Sequence, residues 1–338
     1  MSVQGVETIL NPLQKSALNK KSLCDYVVNV ASGCLHGCTF CYVPSTPAIR
    51  TRQSDLIEQG VPDPQMDWGQ YLFVREEVPI KLRDKLSRQR SWHETPSGRG
   101  VVLLCSGTDP YQNKTVATVT RKTVQVLLEY GKRVRILTRS PLWLNDLDLL
   151  THPNVTVGMS IPCLDDTLSR QIEPKAPLPS SRLKALFQGK EAGCRIYIAM
   201  APTHPDMGYT EFKQDLQIFK KLEPEVIFWE PINARGSNGK RMLEAGLTFA
   251  KSVMAHKSWA QCFVKQWESV EKAAEDANIL DSLHIWPDRE LVNSVPQSIL
   301  EYWWYRPTLE QWTGLNQCAN SNVPRPRLSQ VFEEELLV

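Results

Sequence analysis

The sequence has no long apolar run. Its 338 residues contain no stretch that approaches the roughly 20 consecutive apolar residues of a membrane-spanning helix. The opening segment, MSVQGVETILNPLQKS, also lacks the charged-then-apolar pattern of a secretory signal. We therefore expect a cytoplasmic protein that has no membrane partner.

Strong charge of one sign is absent as well, since the formal net charge is +2. This value does not demand a nucleic acid partner. One stretch, residues 81–99, is locally basic, and a run of this kind could contact phosphates, although a solvated helix face is the more common explanation. Only Asp84 and Glu94 offset its cations, which are Lys81, Arg83, Lys85, Arg88, Arg90 and Arg99.

Cysteine, in contrast, is plentiful. The chain has nine cysteines, and three of them, Cys34, Cys38 and Cys41, lie in the segment SGCLHGCTFCY. Such clustering fits a reducing compartment better than a disulfide framework. Three thiolates in a glycine-containing loop can hold three irons of a [4Fe-4S] cluster, which normally takes four. With no fourth cysteine nearby, one iron would keep an open coordination position, where chemistry can occur.

Two other interpretations of the cysteine loop stay open on spacing alone. Zinc binds four nitrogen or sulfur ligands, and His36 could join the three cysteines. A histidine inside so short a loop would need a tight chelate, however, and no second CxxC pair follows. The three cysteines could also be inert buried thiols.

The order of apolar runs predicts an α/β fold. Six short runs that read as strands are mostly separated by helical segments, which indicates a parallel sheet with right-handed crossovers. Six units are two short of a closed eight-fold barrel, so we expect a partial (β/α)6 TIM-type barrel whose open side admits a large substrate. The predicted strands are residues 26–30, 101–105, 133–138, 155–161, 195–201 and 225–229.

The pattern divides the chain into three parts. Residues 1–25 are predicted to form an irregular N-terminal arm, residues 26–255 the barrel, and residues 256–338 a mostly helical C-terminal extension. The prolines of residues 43–79 predict loops with at most one short helix. The extension ends in an acidic tail. It also carries aromatic residues that favour a small core over a base-stacking surface, namely Trp286, Tyr302, Trp303, Trp304, Tyr305 and Trp312.

The cysteine loop resembles that of the radical S-adenosylmethionine (SAM) enzymes. Their signature is CxxxCxxC with an aromatic residue before the last cysteine, which is Phe40 here. Four further segments are similar to the spore photoproduct lyase-like, or DNA repair photolyase-like, branch, within roughly residues 28–235. They are SGTDPYQ, LTRSPLWLNDLDLL, SRQIEPKAP and AMAPTHPDM.

This resemblance implies the cofactors and the reaction. Cys34, Cys38 and Cys41 would hold a [4Fe-4S] cluster whose open iron binds SAM. An external one-electron reductant of the flavodoxin or ferredoxin type would drive cleavage of SAM to a 5′-deoxyadenosyl radical, which abstracts hydrogen from the substrate. The founding member of the branch repairs a thymine dimer, so DNA lesion repair is one expected activity. Modification of a small metabolite or peptide is the alternative, and a non-catalytic iron–sulfur or zinc protein is the second.

Site residues are expected where parallel strands end, because such loops meet at one face of a barrel. Glu230, at the end of a buried strand, is a candidate catalytic residue together with Asn233 and Arg235 in the substrate pocket. Cys105 and Tyr111 are the other catalytic candidates, since a cysteine and tyrosines return the hydrogen atom in the founding member; Cys163 and Tyr42 are further options there.

The resemblance also assigns residues to SAM. The Ser106–Asp109 loop occupies the place of a glycine-rich segment that binds the methionyl ammonium, Arg139 would pair with the carboxylate, and Ser160 would bond the ribose or the carboxylate. The predicted SAM-binding set is Phe40, Ser106, Gly107, Thr108, Asp109, Arg139 and Ser160, with adenine contacts near Thr203, His204 and Asp206. Ordinary turn or capping roles stay open for several of these.

Overall fold

The computed structural model describes residues 2–306, residue 308 and residues 325–328. Its centre is an eight-stranded sheet in the order β2-β3-β6-β7-β8-β9-β10-β11, parallel except for the β2–β3 pair. The strands are β2 (Gln14–Lys15), β3 (Tyr26–Val27), β6 (Val102–Leu104), β7 (Val134–Thr138), β8 (Val155–Ser160), β9 (Arg195–Thr203), β10 (Ile227–Pro231) and β11 (Leu283–Ile285).

The six predicted strands are β3 and β6–β10, so the partial barrel is confirmed. Helices cover its outside, and their apolar residues belong to the same core as those of the sheet. Among the described residues they are α3 (Val78–Arg88), α4 (Lys114–Glu129), α5 (Leu147–Leu150), α6 (Asp166–Ile172), α7 (Pro179–Glu191), α8 (Tyr209–Lys220), α9 (Asn238–Glu244), α10 (Ala250–Met254), α11 (His256–Asp276) and α12 (Gln297–Tyr305).

The prediction for residues 43–79 was wrong. This segment contains α1 (Pro47–Arg50), α2 (Gln53–Glu58) and β5 (Tyr71–Val74). The prolines mark the turns between these elements, but the apolar run YLFV forms a fully buried strand. β5 is the middle strand of a second sheet in the order β1-β5-β4, formed with β1 (Val3–Val6) and β4 (Ala31–Gly33).

The N-terminal arm is also more ordered than predicted. β1 pairs with β5, and the 3-10 helix Ala17–Lys21 crosses from the first strands of the barrel to its last. The indole of Trp286, just after β11, donates to the carbonyl of Lys21 at 2.7 Å, and the hydroxyl of Ser22 donates to the carbonyl of Arg306 beyond α12. The arm and α12 therefore cover part of the side that was expected to be open.

The barrel interior is filled by side chains. Tyr197, Phe228 and Trp286 pack there, with Phe228 and Trp286 stacked at 4.4 Å between ring centroids. The guanidinium of Arg135 is buried among these rings and donates to the carbonyls of Ser22 and Leu23. Within the described residues, the barrel interior is therefore a packed core and not a channel.

The described part of the predicted C-terminal extension is mostly helical, but its strand β11 pairs in parallel with β10 and so belongs to the barrel sheet. Trp303 is buried and contacts Trp267 and His284 edge-on, so it belongs to an aromatic core, whereas Tyr305 is exposed. Trp312 and the acidic tail lie outside the described residues. Within the described part of the chain, no helix combines the length and apolarity that crossing a lipid bilayer would require.

Candidate active site

A cavity of about 210 Å³ lies where the barrel strands end. It brings together residues that are far apart in the sequence, and the three cysteines Cys34, Cys38 and Cys41 all face it. Ten other predicted catalytic, substrate or SAM-binding residues line it as well: Phe40, Tyr42, Cys105, Ser106, Thr108, Asp109, Arg139, Ser160, Glu230 and Asn233. The strand-end argument therefore identified one site.

The cysteine loop is shaped by glycines and anchored on both sides. Gly33 has a φ of +82°, and a Cβ there would lie 2.3 Å from the carbonyl oxygen of Tyr71, so only glycine fits. The backbone N–H of Leu35 donates to the side-chain oxygen of Gln112 at 2.7 Å, and that of Thr39 donates to the carbonyl of Ile172 at 3.0 Å. The loop is thus held between the loop before α4 and the end of α6.

Cys34 and Cys38 are buried and Cys41 is partly buried, and burial raises the pKa of each thiol. For Cys34 the pKa rises to about 12, and the pKa of Cys38 and of Cys41 is also raised. The positive charge of Arg139 partly opposes this rise at Cys38 and Cys41, and that of Arg241 does so at Cys41. Without a bound metal the thiols therefore keep their protons, and metal binding must release them.

The chemistry of this donor set fits an iron–sulfur cluster better than a single metal ion. Among the described residues, no three His, Cys, Asp or Glu side chains are grouped closely enough to bind one ion. His36, the candidate fourth zinc ligand, instead has its Nε2 3.3 Å from the Oδ2 of Asp109. Three thiols spread over one cavity wall can each bind a different iron of a cubane.

Asp109 connects three loops of the site. One carboxylate oxygen accepts from the N–H of Tyr111 at 2.8 Å and the hydroxyl of Thr138 at 2.7 Å, and the other accepts from the N–H of Arg139 at 2.7 Å. Burial would raise the pKa of Asp109, but His36 and these hydrogen bonds outweigh it and lower the pKa to about 2. Asp109 is therefore a charged structural centre.

Asn29 is a site residue that the sequence reasoning missed. Its side-chain oxygen accepts from the N–H groups of Ser106 and Gly107, at 2.9 and 2.7 Å. Both N–H groups are thereby held toward Asn29; Ser106 lines the cavity, whereas the predicted SAM-binding residue Gly107 does not. Asn29 follows the first barrel strand, so the same strand-end rule could have found it.

Glu173, also missed, is fully buried between two arginines. Its carboxylate accepts from Arg139 and lies 2.6 Å from a guanidinium nitrogen of Arg182, while the thiol of Cys38 is 3.8 Å away. Burial alone would raise the pKa of Glu173, but the two guanidinium groups outweigh it and lower the pKa to about 2. Glu173 fixes Arg139, whose guanidinium lies 5.6 Å from the ring centre of Phe40.

Two residues of α9 support the loop from the side of the last strand. Asn238 donates to the carbonyl of Phe40 at 2.7 Å, and Arg241 donates to the carbonyls of Cys41 and Gln65. Neither residue follows a strand directly, and no local pattern marks them. They are close to the cysteine loop only because the chain returns to it nearly 200 residues later.

Charged and aromatic residues surround the Glu230 end of the cavity. The ammonium of Lys21 lies 2.8 and 2.7 Å from the two carboxylate oxygens of Glu230, which removes the isolated charge expected at this position. Tyr42, at 37% exposure, lies beneath the guanidinium of Arg235. Asp288 accepts from Arg235 and from Asn233, so the predicted substrate residues form one rim.

Tyr111 and the predicted adenine contacts lie elsewhere. Tyr111 is buried, and its hydroxyl donates to Asp146 at 3.0 Å behind the cavity wall. His204 packs edge-on against Phe249, while Ala201 and Pro202 line the cavity in place of Thr203. Tyr42 is therefore the tyrosine that faces the cavity.

Comparison with known proteins identifies both a family and a fold. No family model matches the chain. The chain is 30% identical over 239 residues to Uncharacterized protein ORF301 of Acidianus two-tailed virus. The aligned region covers 68% of this chain and 74% of that protein. A solved spore photoproduct lyase, a mutant with one cysteine replaced by serine, superimposes with a TM-score of 0.59 at 14% identity, over 83% of this chain and 80% of that one.

A second solved lyase carries ligands. This double mutant of spore photoproduct lyase, with bound AdoMet and dinucleoside spore photoproduct, gives a TM-score of 0.58 at 12% identity, over 83% of this chain and 80% of that one. At these identities the likeness shows the fold alone, which is that of spore photoproduct lyase. The resemblance found in the motifs is thereby confirmed at the level of the fold.

Proposed function

This chain belongs to the same family as Uncharacterized protein ORF301 and has the radical SAM fold, and we propose from this that it is a radical SAM enzyme. The observation that carries the proposal is the convergence of Cys34, Cys38 and Cys41 on one cavity at the catalytic end of the barrel. A scaffold without catalysis would not require these thiols to share the cavity with strand-end polar groups.

Cys34, Cys38 and Cys41 would hold the [4Fe-4S] cluster, and Arg139 and Arg241 would offset the negative charge of the thiolates. Held by these three thiolates, a bound cluster would supply the single electron that cleaves SAM and yields the radical chemistry of the family. The solved lyase with bound AdoMet has the same fold, which supports SAM as the second cofactor.

The residues of this chain bind and orient SAM. Arg139 lines the cavity and would pair with the methionyl carboxylate, because Glu173 is shared between Arg139 and Arg182 and leaves the three groups with one net positive charge. Asn29 holds the N–H groups of Ser106 and Gly107 and thereby fixes this loop, one of whose backbone carbonyls would accept from the methionyl ammonium. Ser160 presents a hydroxyl at the end of β8, in reach of the ribose or the carboxylate.

Cys105 is the hydrogen-atom donor that the structure supports best. Its thiol lines the cavity, and burial raises its pKa to about 12, so it stays protonated at neutral pH. A donor must carry an S–H bond, and a thiolate could not give up a hydrogen atom. Tyr111 remains a prediction, although Tyr42 has the better position beside Lys21 and Glu230.

Anaerobic reconstitution with iron and sulfide, followed by addition of dithionite and SAM, tests the proposal. We expect an iron-dependent visible absorbance and release of 5′-deoxyadenosine. For the ligand variant Cys38→Ala, the matched control is Cys24→Ala, because Cys24 is also a buried free cysteine but lies outside the cavity. If iron-loaded protein leaves SAM intact, the proposed enzymatic activity is refuted, and the interpretation as a non-catalytic iron–sulfur protein remains.

For the substrate, we propose a nucleic acid lesion handled at the rim of the cavity. The support is the shared fold with a lyase solved with a dinucleoside spore photoproduct. The basic stretch 81–99 is not part of this support, because Lys85 and Arg88 line a different groove with Tyr26 and Trp92, at the start of the strands. The cations at the rim are Lys21 and Arg235.

A small metabolite or a peptide is the alternative substrate, and the balanced net charge favours it. Binding of a lesion-containing oligonucleotide at several salt concentrations separates the two. Phosphate contacts by the rim would give a steep loss of affinity with salt, and Arg235→Gln would reduce that slope. No binding at low salt would exclude the nucleic acid substrate and leave the alternative.

A further inference from the structure

We propose that the outer face of the cysteine loop, formed by Leu35 and Gly37 with Lys114, Arg170 and Lys175 around it, is the docking surface for an acidic one-electron carrier. This inference rests on the proposed function, since only a redox cluster would need such a partner. It names where the partner binds and which charges hold it.

The loop has two faces with separate surroundings. Cys34, His36 and Cys38 line the cavity, whereas Leu35 and Gly37, which alternate with them, are absent from its lining and partly exposed. Sequence neighbours are only about 3.8 Å apart between Cα atoms. A protein resting on Leu35 and Gly37 would therefore approach two cluster ligands without entering the cavity.

This outer face is ringed by cations. Lys114 begins α4, two residues after Gln112, which holds the N–H of Leu35. On the other side, the ammonium of Lys175 donates to the carbonyl of Gly69 at 3.0 Å, and Gly69 lies directly against Gly37. Arg170 stands in the last turn of α6, the helix whose final residue anchors Thr39.

The positive charge of this ring is not neutralised locally. Lys114, Arg170 and Lys175 are exposed, and none of them forms an ion pair with a carboxylate in the described part of the chain. Near Arg170 and Lys175 in sequence, Glu173 is buried and bound to other arginines, and the carboxylate of Asp166, one turn before Arg170 on α6, accepts from Ser180. A lysine at a helix N-terminus is also disfavoured by the helix dipole, so local stability does not explain Lys114.

A shallow groove extends the surface along α4. It has a volume of about 400 Å³, and Lys114 and Lys122 lie on it, beside Arg121, which is already paired with Asp146 and Asp148. Weak electron-transfer encounters bury little area and depend on complementary charge for orientation. The basic ring and its groove suit a partner that presents carboxylates around its redox group.

The step needs no bond or proton transfer. One electron would pass from the reduced flavin of a flavodoxin-type carrier to the cluster. The carrier would then dissociate with its flavin oxidised by one electron. The substrate meets the protein at the rim of Tyr42 and Glu230, so electron delivery and substrate binding use different surfaces of the site.

The test compares a charge-reversed variant, Lys114→Glu/Arg170→Glu/Lys175→Glu, with a control, Lys220→Glu/Lys251→Glu/Lys257→Glu. The control also reverses three exposed cations, but on α8, α10 and α11, away from the cysteine loop. The probe is a purified acidic flavodoxin, used oxidised for binding and reduced for turnover. Dithionite serves as the small reductant that needs no docking surface.

We expect the loop variant to bind oxidised flavodoxin at least tenfold more weakly than the wild type and the control, even before cluster reconstitution. The KM for reduced flavodoxin should rise by a similar factor, and its increase with salt should flatten, because screening acts on the lost attraction. The rate with dithionite should not change.

Equal binding by both variants would overturn the docking surface while the enzyme activity with dithionite stands. Absence of 5′-deoxyadenosine with dithionite in the wild type would instead refute the proposed function. A loop variant that melts at the wild-type temperature but loses the dithionite-driven reaction would also overturn the proposal, since those residues would then act on the site itself.

Discussion

Replacing Glu173 by glutamine tests how the site holds its charges. The carboxylate is fully buried between Arg139 and Arg182, so glutamine keeps the shape and removes the charge that both guanidinium groups need. Breaking a buried ion pair in this way costs about 3–5 kcal/mol. The lowered pKa gives a similar figure: a shift from 4.5 to about 2 corresponds to about 3 kcal/mol at neutral pH.

Urea denaturation of the metal-free protein measures this loss. Glu173→Gln should lower the free energy of unfolding by about 3 kcal/mol at pH 7. Because the folded pKa lies below the unfolded one, the stabilisation is present above about pH 4.5 and disappears as the pH falls toward 2. Glu129→Gln is the control, since its pair with Arg83 is exposed to solvent and should contribute far less to stability than the buried pair.

Two results would contradict this reasoning. One is a loss at pH 7 no larger than that of Glu129→Gln. The other is a loss that is the same at pH 7 and pH 3.5, because a packing defect would not depend on the charge of the carboxylate. A variant that also binds SAM more weakly would support the placement of Arg139 by Glu173.

Three further predictions concern single residues. Cys38→Ala should abolish the absorbance of the reconstituted cluster while circular dichroism stays that of the wild type; full absorbance would exclude Cys38 as a ligand. Asn29→Ala should leave the iron content near normal but weaken SAM binding about tenfold, as measured by calorimetry. The reason is that the N–H groups of Ser106 and Gly107 lose their acceptor, at a cost of about 1–3 kcal/mol. An unchanged affinity for SAM would show that Asn29 does not support the SAM site. Burial raises the pKa of Asp215 to about 7, so the free energy of unfolding falls as the pH rises from about 4 to 7. Asp215→Asn should therefore stabilise the protein by up to about 4 kcal/mol at pH 8 but not at pH 4. An equal effect at both pH values would contradict this link between the pKa and stability.

The barrel could be predicted because its signal is local. The apolar runs at 101–105, 155–161 and 195–201 are bounded by glycine or polar turns, and each became a buried strand of the sheet. The second sheet has no such signal, since β1 pairs with β5 across 68 residues, and its four residues are mostly exposed. The prolines of 43–79 were read as loops because breakers were weighted above the buried run at 71–74.

The cavity lining could be predicted for a topological reason. Parallel strands carry their following loops to one face, so Asp109, Arg139 and Ser160 meet although they are far apart in sequence. This rule does not predict which way a side chain points. Tyr111 follows the same strand as Cys105, but its hydroxyl donates to Asp146 and does not face the cavity. It also gave Asp109 a role in binding ammonium, although the loops around it already use both of its oxygens.

The residues that support the site could not be predicted, because each contacts a residue that is far away in the sequence. Glu173 follows a helix, Arg241 lies within one, and Lys21 reaches Glu230 across 209 residues. Nothing in their neighbouring sequence sets them apart from solvated charges. Burial is what distinguishes them, and burial of a charge becomes visible only when the chain is folded.

The electron paramagnetic resonance spectrum of the reduced protein, recorded under oxygen-free conditions with and without SAM, tests the central claim most directly. Three cysteine ligands leave one iron free for SAM, so we predict about four irons per chain and a spectrum of a reduced [4Fe-4S] cluster that changes on addition of SAM. An iron-free preparation, or a cluster whose spectrum is indifferent to SAM, would contradict it.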